Sequence, residues 1–201
     1  MKLFYLVLFV TVSFFSGSKL AFKEEDDAIS TIEMERINSR IADIKNMISV
    51  DSKYNQKIAF LIDMKVPSGK NRFFVYDLQK NEVVDQGLVA HGSGSETGVK
   101  GILKFSNMPN SNCTALGRYS VGKTYKGIFG KAYRLAGLEE TNNNALKRAI
   151  VLHHYSAVPY DEQDYYISNS HGCPMVNEQF FKRIEKIIDG SKSNIIMDIY
   201  Y

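Results

Sequence analysis

The sequence has no tryptophan, no block of Lys or Arg, and only two cysteines, Cys113 and Cys173. Each absence removes a class. Without a basic block, and with a net charge of only +3, the chain lacks the electrostatic footprint of a nucleic-acid binder. An anionic polymer as substrate stays open. No cysteine pair has the spacing of a zinc finger. No cysteine precedes Cys113, which excludes a lipid-modified cysteine near the N-terminus. The stretch His91-Gly92-Ser93-Gly94-Ser95-Glu96-Thr97-Gly98 has no Gly-Lys-Ser/Thr ending, so it reads as a flexible loop and not as a phosphate cradle. There are no internal repeats and no low-complexity tracts.

What is present is a globular balance, 44% hydrophobic and 23% charged, in a chain long enough to bury a core. Twelve Tyr and twelve Phe point to a strand-rich one. Residues 1–21 have the layout of a signal peptide: Lys2, the apolar run Leu3 to Phe15, then Ser16, Gly17 and Ser18. The run is shorter than the ~20 residues that span a bilayer. An uncleaved anchor is the alternative, and a membrane enters only through that segment. The expected destination is outside the cytoplasm, in the periplasm or cell envelope.

Residues 22–56 read as a charged tether and an amphipathic helix. Ile29, Ile32, Ile37, Ile41, Ile44 and Ile48 recur at helical spacing, with Asp26 or Asp27 as the expected cap. The stripe is expected to pack on the following domain ahead of any partner. Over 57–201, short β-prone runs alternate with turns: Ile58 to Ile62, Arg72 to Tyr76, Glu82 to Val84 continued by Leu88 to His91, Tyr119 to Val121, and Lys131 to Leu135. Arg148 to His154 is almost continuously apolar and is expected near the middle of a sheet. A second amphipathic helix covers Val176 to Ile188, and a strand closes the chain at Asn194 to Tyr201. The expected fold is β-rich α+β with helices outside the strands.

The chemistry concentrates in Ser170-His171-Gly172-Cys173-Pro174 and in His153-His154 at the end of the apolar run. A thiol beside a glycine, with imidazoles on a nearby strand, suggests a cysteine nucleophile and its base. Lowering a thiol pKa by two units raises the thiolate fraction ~25-fold, but the weaker nucleophile loses ~8-fold. The net gain is only ~3-fold, so the imidazole's larger task is to orient the sulfur and return a proton to the leaving group. Successive strand residues face opposite ways, so only one of His153 and His154 can face Cys173. The backbone amides of Gly172 and Cys173 are candidate oxyanion donors, while Pro174 has no N–H to give. Two other readings compete. One is a zinc site drawn from His153 or His154, His171, Cys173 and His91. The other is a single Cys113–Cys173 disulfide in an exported chain.

These residues resemble the L,D-transpeptidase catalytic domain family (YkuD-type) of bacterial cell-wall enzymes. The family signature, a His followed after a gap by Ser/Thr-x-Gly-Cys, reads here as His153 and Ser170-His171-Gly172-Cys173. Pro174 matches the murein subgroup with Pro after the Cys. Val89-Ala90-His91-Gly92, Phe105-Ser106-Asn107, Leu116-Gly117, Tyr125-Lys126-Gly127, Arg134-Leu135, Gly137-Leu138-Glu139 and Arg148-Ala149-Ile150-Val151 extend the match across the domain.

The resemblance implies a β-sandwich-like domain acting on peptidoglycan stem peptides without a cofactor or metal. It implies Cys173 as nucleophile, His153 as base, Gly172 and Cys173 as oxyanion donors, and Ser170, His171 and His154 near the substrate. A thioester at the third stem residue, release of D-Ala and transfer to an amine would give a 3–3 cross-link. L,D-carboxypeptidase hydrolysis, anchoring of a protein, and a non-catalytic wall-binding module are the alternatives, and carbapenem-type β-lactams are expected inhibitors. Three departures stand out: His154 where the family has Gly, Met175 where many members have Arg, and Cys113 where Ser is expected. An oxidative Cys113–Cys173 bridge as an off-switch is the expectation drawn from the last.

Overall fold

The structure, a computed structural model, describes residues 29–201. The signal segment at 1–21, the start of the tether and the caps expected at Asp26 or Asp27 lie outside the described residues. Helix α1 spans Thr31–Ser49. Its cap is Ser30: the Ser30 hydroxyl accepts from the Glu33 amide, and the Glu33 carboxylate accepts from the Ser30 amide at 2.9 Å. Two orphan N–H groups are satisfied reciprocally. Ile37, Ile41, Ile44 and Ile48 are buried, whereas Ile32 in the first turn is 66% exposed. The fully buried stripe therefore starts later than the isoleucine spacing suggests, with Ile29 and Met34 packed against its margin.

Nine strands form one sheet: β1 Tyr54–Asp63, β2 Phe73–Asp77, β3 Glu82–Gly87, β4 Val89–Ala90, β5 Gly117–Gly127, β6 Gly130–Gly137, β7 Val151–His154, β8 Met175–Val176 and β9 Asn194–Tyr200. Helix α2, Glu178–Gly190, stands between the last two. The order is β3-β2-β1-β9-β5-β6-β7-β8-β4. The β1–β9 and β7–β8 pairs are parallel and the rest antiparallel.

Period-two alternation sorts the side chains into two cores. Phe60 and Ile62 of β1, Phe73 and Val75 of β2, and Ile195, Met197 and Ile199 of β9 face one core together with Phe180, Phe181 and Ile184 of α2. Val89, on the strand at one edge, shares that core with Phe73, next to the other edge. The sheet thus folds over on itself, which produces the sandwich-like, β-rich α+β fold. Ala59, Leu61, Phe74, Tyr76 and Ile196 point the other way, onto α1. Full burial of one such isoleucine contributes about 1.5–3 kcal/mol. On the same face Asp63 and Asp198 are wholly buried and receive Arg36 and Arg40 from α1, each at 2.7 Å. The helix is an integral layer of the fold.

Two strand expectations change. Leu88 to His91 does not continue the β3 arm: β3 lies at one edge and β4 at the other, paired with β8. Arg72 accounts for the break. Its fully buried guanidinium donates from Nε and Nη2 to Val89 O at 2.9 and 2.7 Å, drawing that carbonyl inward. The strand expected from Arg148 begins only at Val151 and is third from an edge. Ala149 adopts φ 54°, and the Arg148 amide donates to Asn144 O, so Arg148 to Ile150 form a turn.

Candidate active site

The Ser170–Cys173 loop leads into β8 and is held from two sides. On one side, the Ser170 amide donates to His91 O and the Ser93 amide donates to Ser170 O, both at 2.8 Å. The glycine-rich segment that makes these bonds is not a flexible loop over 91–95. A Cβ on Gly92 or Gly94 would lie 2.1 or 2.0 Å from the backbone oxygen of Asn112 or Ser111. The glycines allow two backbones to touch, which is their use here instead of freedom. On the other side, the Ser170 hydroxyl donates to Cys173 O at 2.6 Å and accepts from the Gly172 amide at 3.0 Å.

That last bond corrects one expectation. The Gly172 N–H is buried and committed to Ser170, so it does not stand free for an oxyanion. The Cys173 N–H makes no hydrogen bond among the described residues. Gly172 itself has φ +109°, and a Cβ there would lie 2.7 Å from Cys113 O and 3.0 Å from Arg148 Nη2. Both the dihedral and the space require glycine. The carbonyl it approaches belongs to Cys113 of this chain.

Cys173 is half-buried, its sulfur 3.9 Å from Ala149 O and near the Val151 amide at the start of β7. Burial pushes the thiol pKa up, against the pull of that amide and of the Arg148 charge. Burial thus works against ionisation of the sulfur, an effect that the motif alone does not reveal.

His153 and His154 follow Val151 on the same strand and part company. His153 pairs with Met175, and its amide donates to Pro174 O, so it stands beside the residues just after Cys173. Its ring is 7% exposed and stacks on Phe129 at 5.3 Å. Nδ1 faces His154 O at 3.0 Å and must be the donor, which leaves the lone pair on Nε2. Burial holds the His153 pKa below the ordinary value. His154 turns to the opposite face, against Phe181 of α2 at 5.3 Å. His171 is exposed at the loop tip.

The zinc and disulfide alternatives fall on geometry. His91 accepts at Nδ1 from Arg72 at 2.9 Å and meets Glu96 through Nε2 at 2.6 Å, so neither nitrogen is available to a metal. Among the described residues no three His, Cys, Asp or Glu side chains are arranged to hold one. Both cysteines are free, and the buried Cys113 thiol donates to Gly94 O at 3.0 Å. It is the Cys113 carbonyl, not its sulfur, that meets the Gly172 loop.

Two further residues belong to the site. Arg148 Nη2 donates to Cys113 O at 2.5 Å and Nη1 to Ser106 O at 3.0 Å. Phe129, at the β5–β6 hairpin tip, covers His153 and meets Tyr155 edge-on. An apolar Ile128-Phe129 pair inside a Gly127–Gly130 turn was a visible signal, since turn tips are normally polar. For Arg148 the sequence carried its place before an apolar run and in the Arg148-Ala149-Ile150-Val151 piece of the family resemblance, neither of which gave it a role.

The model of the L,D-transpeptidase catalytic domain family matches residues 28–197. The chain belongs to that family. No curated protein matches this L,D-transpeptidase domain. Among solved structures it is similar to the helical cell shape determining protein Pgp2 of Campylobacter jejuni (10% identity, TM-score 0.47, covering 85% of this chain and 56% of that one). It is also similar to an L,D-transpeptidase of Mycobacterium smegmatis (11%, 0.41, 72% and 59%) and to LdtMt1 in complex with imipenem (10%, 0.42, 72% and 59%). This L,D-transpeptidase domain spans between half and three-fifths of those structures.

Proposed function

We propose that this L,D-transpeptidase domain exchanges peptide bonds in peptidoglycan stems through a thioester on Cys173, with His153 as the base. The observation that carries the reading is the placement of a half-buried thiol against the first residues of the strand that bears His153, whose Nδ1 is already committed to His154 O. Its Nε2 lone pair is thereby the one able to take a proton. A raised thiol pKa and a lowered imidazole pKa mean that both groups rest neutral. Proton transfer then accompanies attack, and no ion pair precedes it.

In the forward step the Cys173 proton passes to His153 Nε2 as sulfur bonds to the carbonyl carbon of the third stem residue. The oxyanion takes the Cys173 N–H. The C–N bond to D-Ala breaks, and His153 returns its proton to the departing amine. In the second step an amine of another stem attacks the thioester, gives its proton to His153, and the sulfur regains it. One amide replaces another, so no energy-rich cofactor is required. Ser170 fixes the loop, His171 stands on the exposed side where substrate enters, and His154 is a core residue. Imipenem is bound by LdtMt1, and a carbapenem is expected to acylate Cys173 here. Residues 1–21 as an export signal, with action in the envelope, complete the reading.

The test is incubation of purified protein with a diaminopimelate tetrapeptide, beside Cys173→Ala. The expected result is a mass increase by the acyl tripeptide on the parent protein only, discharged by added stem amine. No adduct on the parent, or an equal one on the variant, sinks the proposal.

A further inference from the structure

The arginines of the described residues fall into two groups. Arg36, Arg40, Arg118 and Arg183 each face a carboxylate, from Asp63, Asp198, Glu139 and Asp85. Arg72, Arg134 and Arg148 face none within ion-pair distance: Arg72 is spent on Val66 O, Val89 O and His91, Arg134 lies over the Tyr125 ring, and the one beside the Gly172 loop is Arg148. Its two hydrogen bonds end on neutral carbonyls, Ser106 O and Cys113 O. A guanidinium is weakly hydrated and presents its charge in a fixed planar fork. With no acid to neutralise it, that charge remains available to whatever anion forms nearby.

The nearby group is the nucleophile loop. Arg148 Nη2 lies 3.0 Å from where a Cβ of Gly172 would be, one residue before Cys173. The turn that carries Arg148 also carries Ala149, whose carbonyl meets the Cys173 sulfur. The side chain therefore joins three segments: Ser106, Cys113 and the Gly172–Cys173 backbone. The other titratable groups around the sulfur are Tyr119 of β5, whose hydroxyl donates to Ala115 O, His153 of β7, and His171 on the loop itself. The carboxylate that acts on this set is Glu139, which influences Tyr119 through space and is itself ion-paired with Arg118.

We propose that Arg148 is a positioning residue whose uncompensated charge stabilises the Cys173 sulfur as an anion while acyl transfer proceeds. This role rests on the acyl-transfer reading above. The direction of Arg148's influence on the thiol, opposite to that of burial, is consistent with it. Geometry supplies the reason for arginine over lysine. A planar fork can hold two carbonyls and still present its charge to a third segment, which a single ammonium does poorly.

The experiment is the pH profile of Cys173 alkylation by iodoacetamide, followed by peptide mass so that Cys113 is counted separately, in the parent protein, R148Q and R148K. R148Q is expected to move the midpoint up by about one pH unit, so that alkylation at pH 8 slows about tenfold while rates converge at high pH. R148K keeps a charge without the fork and is expected to shift the midpoint about half as far. A purely structural role would lower the rate at every pH and leave the midpoint in place. R148Q folded with an unchanged midpoint overturns the inference, and R148K shifted as far as R148Q overturns it too, because the charge is then not what acts. Failure of both to fold assigns Arg148 to the clamp alone and overturns it as well. The probe needs no cell-wall substrate. A shifted midpoint without any acyl-enzyme therefore points to a failure of the functional reading, and an acyl-enzyme with an unshifted midpoint to a failure of this one.

Discussion

Arg72 donates from Nη2 to Nδ1 of His91 at 2.9 Å, with both side chains buried. Arginine cannot accept, so Nδ1 holds the lone pair and Nε2 carries the proton that is given to Glu96 Oε1. Glu96 Oε1 also receives Asn169 at 3.4 Å, and His91 O receives the Ser170 amide. A chain of polar contacts thus runs from the sheet interior to the nucleophile loop.

Burial, and then the Arg72 charge, hold the His91 pKa below its ordinary value against the pull of Glu96. Below about pH 6.5 the unfolded chain binds a proton that folded His91 refuses, so stability falls as pH drops through that region. His153, shifted the same way by burial, adds to the slope. Melting temperature is expected to decline from pH 7 to pH 5, and more shallowly in His91→Gln. Thermal melts over that range check it, and parallel slopes would remove His91 from the account.

Ser170→Ala deletes a hydroxyl that both gives and receives. The buried Gly172 N–H is left unpaired, at a cost of about 1–3 kcal/mol. The loss is local to the nucleophile loop. Thioester formation is expected to fall 10- to 100-fold, with melting lowered by only a few degrees. Ser170→Thr, keeping the oxygen, is expected to recover most of the rate.

A neutral thiol and a neutral imidazole set the shape of the rate profile. His153 becomes competent above a pKa held below its ordinary value, and Cys173 stays protonated to beyond the usual thiol range. kcat/KM is expected to rise below pH 6.5 and remain level into the alkaline region. Phe129→Ala uncovers the His153 ring and relieves its burial, so the acid limb moves to higher pH. Stopped assays of acyl transfer from pH 5 to pH 9 distinguish this from a preformed ion pair, whose rate would fall again on the alkaline side as the imidazolium loses its proton.

On the opposite face, Arg40 places two donors on Asp198 at 2.7 and 3.1 Å. Burial still lifts the Asp198 carboxyl above the usual carboxylate range. Arg40→Ala abandons a fully buried carboxylate and is expected to cost about 3 kcal/mol. Asp198→Asn removes the charge that burial disfavours and is expected to cost less than half as much. Urea unfolding of both variants tests the order, and the reverse order would contradict it.

Much of this protein was legible from its residues. The isoleucine spacing marked α1, the alternating apolar positions marked β1, β2 and β9, and the Ser-x-Gly-Cys element marked the site loop. These signals are local, because helix and strand periods are properties of a few consecutive residues. What tertiary structure alone decided is non-local. It sent Leu88–Ala90 to the far edge of the sheet, where β4 pairs with β8 and the buried Arg72 fork binds Val89 O and Val66 O together. It turned His154 toward Phe181 of α2 and His153 toward Phe129. It withdrew the Gly172 amide, gave Arg148 a place beside the Gly172–Cys173 loop, and set burial against ionisation of the Cys173 sulfur. Burial and through-space charge depend on what the rest of the chain packs around a group, and no motif of five residues contains that information.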